Sequence, residues 1–193
     1  IRFGRKTTNQ IQARKIKVEG GCITFVLKLY RSKYLITLPH THEGMINNVL
    51  AAISIAYLLG VDQTTIVNTI PYLPRTAQRF EICPLKDKKG VLIDDCYNAS
   101  PESVKAALTA FEHMECSGKK IAVLGDMLEL GKDAYFLHRQ IGRFLKNSRS
   151  IRHIILVGGN MKAVKETAPY GITFEFADSW QEAIERLNSL LEN

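Results

Sequence analysis

The chain has 193 residues, 46% apolar and 23% charged, with a formal charge of +7. That suits one substantial core, or one domain with part of another, and excludes a disordered chain. No apolar run approaches the roughly 20 residues of a membrane-spanning helix, and Ile1-Arg-Phe-Gly-Arg-Lys6 lacks the apolar core of a secretory signal, so a cytoplasmic protein without membrane insertion is expected.

The first forty residues read as a β-meander, with strands over 11–18, 22–30 and 34–38, a Gly20-Gly21 turn and Pro39 as the stop. From Gly44 to Leu59, Ile46, Val49, Leu50, Ile53, Ala56 and Tyr57 recur at helical spacing, and Gly60 closes the helix. Asn47-Asn48 is read as the start of its inward face. A second helix, capped by Asp62, ends before Pro71. Three strands and two helices offer no obvious closed core. Pro71-Tyr-Leu-Pro-Arg75 reads as a linker, since two prolines interrupt both helix and ladder. Beyond it, strands near 91–95, 120–124, 153–157 and 172–176 alternate with helices near 101–115, 133–147, 160–168 and 179–192. Such alternation, with apolar strands buried on both faces, predicts an α/β fold with a parallel, doubly wound, Rossmann-like sheet.

Two apolar runs end abruptly in polar residues: Val91-Leu-Ile-Asp-Asp-Cys-Tyr-Asn-Ala-Ser-Pro-Glu-Ser-Val104 and Ile121-Ala-Val-Leu-Gly-Asp-Met-Leu-Glu-Leu-Gly131. Ligands of open α/β sheets bind beyond the carboxyl ends of the strands, so function is sought there. Ser100 before Pro101 marks a helix start. Asp94 and Asp95 diverge as strand neighbours, so one of them could grip a ribose hydroxyl or a metal; Asp95 could equally satisfy loop amides. Asn98 can pair with a purine edge or simply form a turn. Arg79, just after the linker, could bind phosphate bidentately or form a surface salt bridge. Asp126, Glu129 and His138 form no metal pattern, and His138 reads as packing or capping; His40 and His42 lack a third ligand.

The four cysteines, Cys22, Cys83, Cys96 and Cys116, form no C-x-x-C pair and read as reduced thiols. The carboxylates beside Cys96 should raise its thiol pKa and make a thiolate nucleophile unfavourable. Basic residues are scattered without interleaved aromatics, which argues against nucleic-acid binding. Neither G-x-x-x-x-G-K-S/T nor G-x-G-x-x-G occurs, so the chain holds neither common phosphate cradle. A receiver-like domain would use Asp94, Asp95 and Asp126 at strand ends, but it needs a lysine after a later strand, and Val157-Gly-Gly159 supplies none.

Together these segments resemble the Mur ligase family, most closely its branch that adds D-alanyl-D-alanine to a UDP-linked muramyl tripeptide. Ile1-Arg-Phe-Gly4 is similar to the family's T-F-G, and Gly44-Met-Ile-Asn-Asn-Val-Leu-Ala-Ala52 to its H-N-x-x-N-A-L-A-A helix start. Asp94-Asp-Cys-Tyr-Asn-Ala-Ser-Pro-Glu-Ser103 resembles D-D-S-Y-N-A-N-P-D-S, and Leu124-Gly-Asp-Met-Leu-Glu-Leu-Gly131 nearly repeats the family string. Two departures stand out: Gly44-Met45 replaces His-Asn, with His42 nearby, and Ser100 replaces the second asparagine of Y-N-A-N.

The resemblance implies a peptidoglycan-precursor ligase using ATP and Mg2+, with UDP-MurNAc-tripeptide and D-Ala-D-Ala as substrates, in a monomer. Asn48, Arg79 and Asp95 carry over as ATP contacts, with Asn98 close to the adenine. It places residues 1–74 in the end of a central ATPase domain and 75–193 in a carboxyl-terminal domain. The UDP-sugar domain, the G-K-S/T loop and the modified lysine would precede Ile1, and the K-G-S-R strand would follow Asn193. Such a piece is expected to be inactive alone; a folylpolyglutamate-type adder, or a non-catalytic nucleotide-binding module, is the alternative.

Overall fold

A computed structural model describes residues 1–19, 22–40, 43–74, 77–85 and 90–192. The Gly20-Gly21 turn, His42 and the end of the expected linker at Arg75 lie outside the described residues. The chain divides into two units, residues 1–97 and 98–193.

In the first unit, period-two alternation puts Ile23, Phe25, Leu27 and Leu29 on one apolar face of β3 (Cys22–Leu29). This strand pairs antiparallel with β2 (Ile11–Glu19) and β4 (Ser32–Leu38), and β1 (Phe3–Gly4) adds parallel to β2. The helix α1 (Met45–Leu58) lays Ile46, Val49, Leu50 and Ile53 on that face, and α2 (Gln63–Thr69) adds Ile66. Asp62 caps α2 by accepting the Thr65 N–H at 2.9 Å. Contrary to the sequence expectation, these elements close a core. Both helices and Ile70, in the 3-10 turn Ile70–Tyr72, cover the same side of the sheet, and Leu73 packs against it.

A second departure follows. The strand near residue 91, expected in the parallel sheet and buried on both faces, is β6 (Val91–Asp94), paired antiparallel with β5 (Glu81–Pro84). The pair forms a two-stranded ladder in which Val91 and Leu92 are about half exposed, at 52% and 47%. The charged and proline-bearing stretch of β5 hid this strand from periodicity.

The second unit has the expected α/β form. The helix α3 (Pro101–His113) starts with a reciprocal cap, in which Ser100 Oγ accepts the Ser103 N–H at 3.2 Å and Ser103 Oγ accepts the Ser100 N–H at 2.9 Å. Then β7 (Lys120–Gly125), α4 (Ala134–Phe144), β8 (Ile151–Val157), α5 (Lys162–Thr167), β9 (Thr173–Ala177) and α6 (Trp180–Glu192) alternate. The strands pair parallel in the order β7-β8-β9. Along β8, Ile154 and Leu156 join the core shared with Leu108, Ile141 and Val164 of α3, α4 and α5, whereas Ile155 packs with Ala183 of α6. Helices thus cover both faces, which explains why β8 lacks a polar side.

Gly142 sets the approach of α4 to α5. A Cβ there would lie 2.1 Å from the Val164 carbonyl oxygen and 2.3 Å from Thr167 Oγ1, whose hydroxyl donates to the Arg139 carbonyl at 2.9 Å. On an open helix Gly→Ala gains up to about 1 kcal/mol. Here the steric clash reverses the sign, and Gly142→Ala should cost about 1–3 kcal/mol; a urea midpoint equal to or above wild type would refute this packing.

At the end of α3, Glu112 accepts hydrogen bonds from Ser148 Oγ at 2.5 Å, the Arg149 N–H at 2.8 Å and the Ser150 N–H at 2.7 Å, fixing the segment that enters β8. Burial opposes its ionisation, but these donors together prevail and hold the carboxyl down to about 2. A depressed folded value stabilises the fold above the ordinary carboxylate value of 4.5, and this contribution fades as pH falls toward about 2. Glu112→Gln should therefore unfold at lower urea than wild type at pH 7, with the gap closing over that acid window; a pH-independent gap would contradict the assignment.

Candidate functional site

The open end of the β5–β6 hairpin joins two of the segments singled out in the sequence. Glu81 opposes Asp94, so Gln78-Arg79-Phe80 runs beside Asp95-Cys96-Tyr97. Asp95 Oδ1 accepts the Phe80 N–H at 2.9 Å, and the Gln78 carbonyl accepts the Tyr97 N–H at 3.3 Å. Glu81 accepts the Gln78 N–H at 3.1 Å. Gln78 and Phe80 have φ of 58° and 53°, the left-handed region that non-glycine residues seldom occupy without outside support. Arg79, half-buried between them, has its guanidinium carbon 4.3 Å from the Tyr97 ring centroid. Among the described residues Arg79 forms no ion pair.

Asp95 therefore plays the loop-amide role that the sequence left open, and Arg79 is held by a ring instead of a salt bridge. Tyr97 was missed as a partner of Arg79, because without β5 nothing indicated that residues 79 and 97 are neighbours. Asp94 Oδ1 accepts the Cys96 N–H at 3.2 Å. Its hydrogen bond to the exposed thiol, followed by burial and the Asp94 charge, pushes the Cys96 thiol up, as the sequence suggested.

The two asparagines are placed differently. Asn47 and Asn48 are exposed, which corrects the reading of them as inward; Ile46, Val49 and Leu50 face the core. The Asn48 amide reaches Met45 Sδ at 4.0 Å, and no hydrogen bond among the described residues joins Asn48 to Arg79 or Asp95. Asn98 is exposed, and its Oδ1 accepts the Ala99 N–H at 2.8 Å, the turn-forming behaviour.

A second polar rim lies at the ends of β7 and β8. Asp126 Oδ2 accepts the Asn160 side-chain amide at 3.1 Å and its backbone N–H at 3.3 Å. Gly158, at φ 108°, lets β8 pass over this carboxylate; a Cβ would sit 2.5 Å from Asp126 Cγ. Fully buried His138 accepts the Met127 N–H at Nε2, 3.0 Å, and so donates from Nδ1 to the Ala134 carbonyl at 2.7 Å. With both nitrogens engaged, His138 braces the loop, in agreement with its reading as packing. Asn160 was missed, although Val157-Gly-Gly-Asn160 ends an apolar run as the two recognised segments do. Among the described residues no group of three or more His, Cys, Asp or Glu could hold a metal ion.

Residues 78–193 match the family described as Mur ligase, glutamate ligase domain. A UDP-N-acetylmuramoyl-tripeptide--D-alanyl-D-alanine ligase of Bacillus subtilis is 33% identical over 141 residues, 72% of this chain and 30% of that protein. MurF from Acinetobacter baumannii superposes with a TM-score of 0.83 at 27% identity, covering 98% of this chain and 40% of that one. MurF ligase from Thermotoga maritima, solved in complex with ADP, superposes at 0.74 with 22% identity, covering 97% and 42%. The chain thus spans between 30% and 42% of the length of these relatives.

The Asp94–Cys96 contact yields its own test. Asp94→Asn should lower the Cys96 thiol pKa and speed its alkylation by iodoacetamide at pH 7.5, read by peptide mapping that separates it from exposed Cys116. Equal rates in both proteins would remove Asp94 as the cause.

Proposed function

The chain belongs to the Mur ligase family, and from this we propose that it is part of an ATP-dependent ligase that adds D-alanyl-D-alanine to UDP-MurNAc-tripeptide in peptidoglycan precursor synthesis. The observation that carries the reading is the clasp of Asp95 on the Arg79 loop. It presents a guanidinium without an ion-pair partner among the described residues, beside a carboxylate, and that donor set suits a nucleotide.

Arg79 would bind phosphate oxygens, where a planar fork of donors fits bidentately. Asp95 would accept a ribose hydroxyl. An ionised carboxylate offers roughly four acceptor sites, so one such group can hold several donors at once. Asn48 and Asn98 would lie toward the adenine, where an amide matches both donor and acceptor edges. The ADP in the Thermotoga maritima relative supports a nucleotide.

The tripeptide carboxylate would attack the terminal phosphorus of ATP, releasing ADP and leaving an acyl phosphate. The amine of D-alanyl-D-alanine would then attack the acyl carbon and expel phosphate. These steps need alignment and charge stabilisation more than a protein nucleophile, which accords with the thiol of Cys96 being pushed up. Mg2+ would neutralise phosphate charge, and no residue of this chain is assigned to it.

We place the functional boundary at 74/75, with residues 1–74 completing the ATPase domain and 75–193 forming the carboxyl-terminal domain, in a monomeric, cytoplasmic enzyme. In the full-length protein, Arg79→Ala and Asp95→Ala should each lower kcat/KM for ATP by roughly 10- to 100-fold, the weight of a hydrogen bond to a charged group, with unchanged circular dichroism. Wild-type D-alanyl-D-alanine-dependent phosphate release in both variants would eliminate the proposal.

A further inference from the structure

We propose that Tyr97 is a positioning residue for nucleotide binding: its ring holds the Arg79 guanidinium in place without neutralising it. This rests on the reading of Arg79 as a phosphate ligand and deepens it.

The geometry is specific. The guanidinium carbon lies 4.3 Å from the ring centroid, well inside the roughly 6 Å over which a cation is attracted to an aromatic face. The backbone keeps the two groups in register, because the Tyr97 N–H is donated to the Gln78 carbonyl, one residue before Arg79. Left-handed conformations at Gln78 and Phe80 fix the direction in which Arg79 leaves the chain. Burial does not account for the ring's position, since Tyr97 is 65% exposed.

A ring differs from the commoner partner of an arginine in one respect that matters here. A carboxylate would occupy the N–H donors that phosphate requires and would cancel the charge that attracts it. An aromatic face attracts the cation while leaving its N–H donors unspent. The long arginine side chain is thereby ordered before the ligand arrives, which lowers the entropy lost on binding.

The test uses the full-length ligase and equilibrium titration with ATP and, separately, adenosine, which has no phosphate. Tyr97→Leu should weaken ATP binding by about 2- to 5-fold, the weight of an exposed cation–π contact, and leave adenosine binding unchanged. Tyr97→Phe, which keeps the ring, should restore wild-type affinity for ATP. In an Arg79→Ala background, Tyr97→Leu should add no further loss.

Equal weakening of ATP and adenosine would make Tyr97 a purine platform or a folding residue and overturn the inference. So would a Phe variant as impaired as Leu, which would place the function in the hydroxyl, or additive losses in the double variant. A wild-type protein that binds ATP but shows no D-alanyl-D-alanine-dependent phosphate release would sink the ligase reading alone, with the Tyr97 comparison still decided by the titrations. Absence of ATP binding in wild type would sink both.

Discussion

The hydrogen bond from the Phe80 N–H to Asp95 Oδ1 is the constraint on which the candidate site depends. It closes the mouth of a two-stranded ladder that is too small to be stable by itself. It also supports two non-glycine residues in left-handed backbone, a conformation that persists only where surrounding contacts over-determine it. The Gln78–Tyr97 and Gln78–Glu81 hydrogen bonds and the Arg79–Tyr97 ring contact hold the same segment beside it. The reading of Asp95 as a structural residue and its reading as a ligand residue are therefore compatible: the carboxylate that fixes the loop stands where the loop's cation is displayed.

The second unit repeats the device in a different setting. Asp126 follows β7 as Asp95 follows β6, and it too uses one oxygen to hold a neighbouring segment, here through Asn160 beyond β8. The close passage of Gly158 makes this rim tight, and His138 supports it from beneath with both ring nitrogens committed. In each case the residue at a strand end ties one loop to another, which converts mobile connections into a fixed polar edge. Such rigidity suits chemistry that works by positioning.

Much of the fold was legible because its helices and strands have strong periodicity. The Asp62 and Ser100 caps, the alternation in β3 and the βα repeats all gave local signals, and the structure agrees with them. What failed was long-range pairing. Glu81-Ile-Cys-Pro84 has too little pattern to announce a strand, so the regular strand–helix alternation points β6 to the parallel sheet, and nothing local signals the proximity of Arg79 to Tyr97. The amides near the start of α1 failed for another reason. They sit directly after Ile46, but a helix rotates by about 100° per residue, which leaves Asn47 and Asn48 outside the stripe of Ile46, Val49 and Leu50. The motif residues themselves stood out as abrupt polar ends of apolar runs, yet which backbone groups they hold was visible only in three dimensions.

The chemistry of the site follows from how its charges are partnered. Arg186 is paired with Glu182 and Glu175, and Arg139 lies near Glu166, so carboxylate partners for arginine are in ordinary use elsewhere in this protein. At the hairpin mouth the nearby carboxylates serve backbone amides instead: Asp95 holds Phe80, Asp94 holds Cys96 and Glu81 holds Gln78. Each of these acids holds an N–H, Asp94 the Cys96 thiol as well, and among the described residues the arginine lies against a ring. A loop selected only for stability would gain by pairing Arg79 with one of these acids, because hydrogen bonds to charged groups exceed a neutral contact in strength. Their diversion leaves the Arg79 guanidinium on a ring that spends none of its N–H donors, the arrangement that the proposed phosphate contact requires.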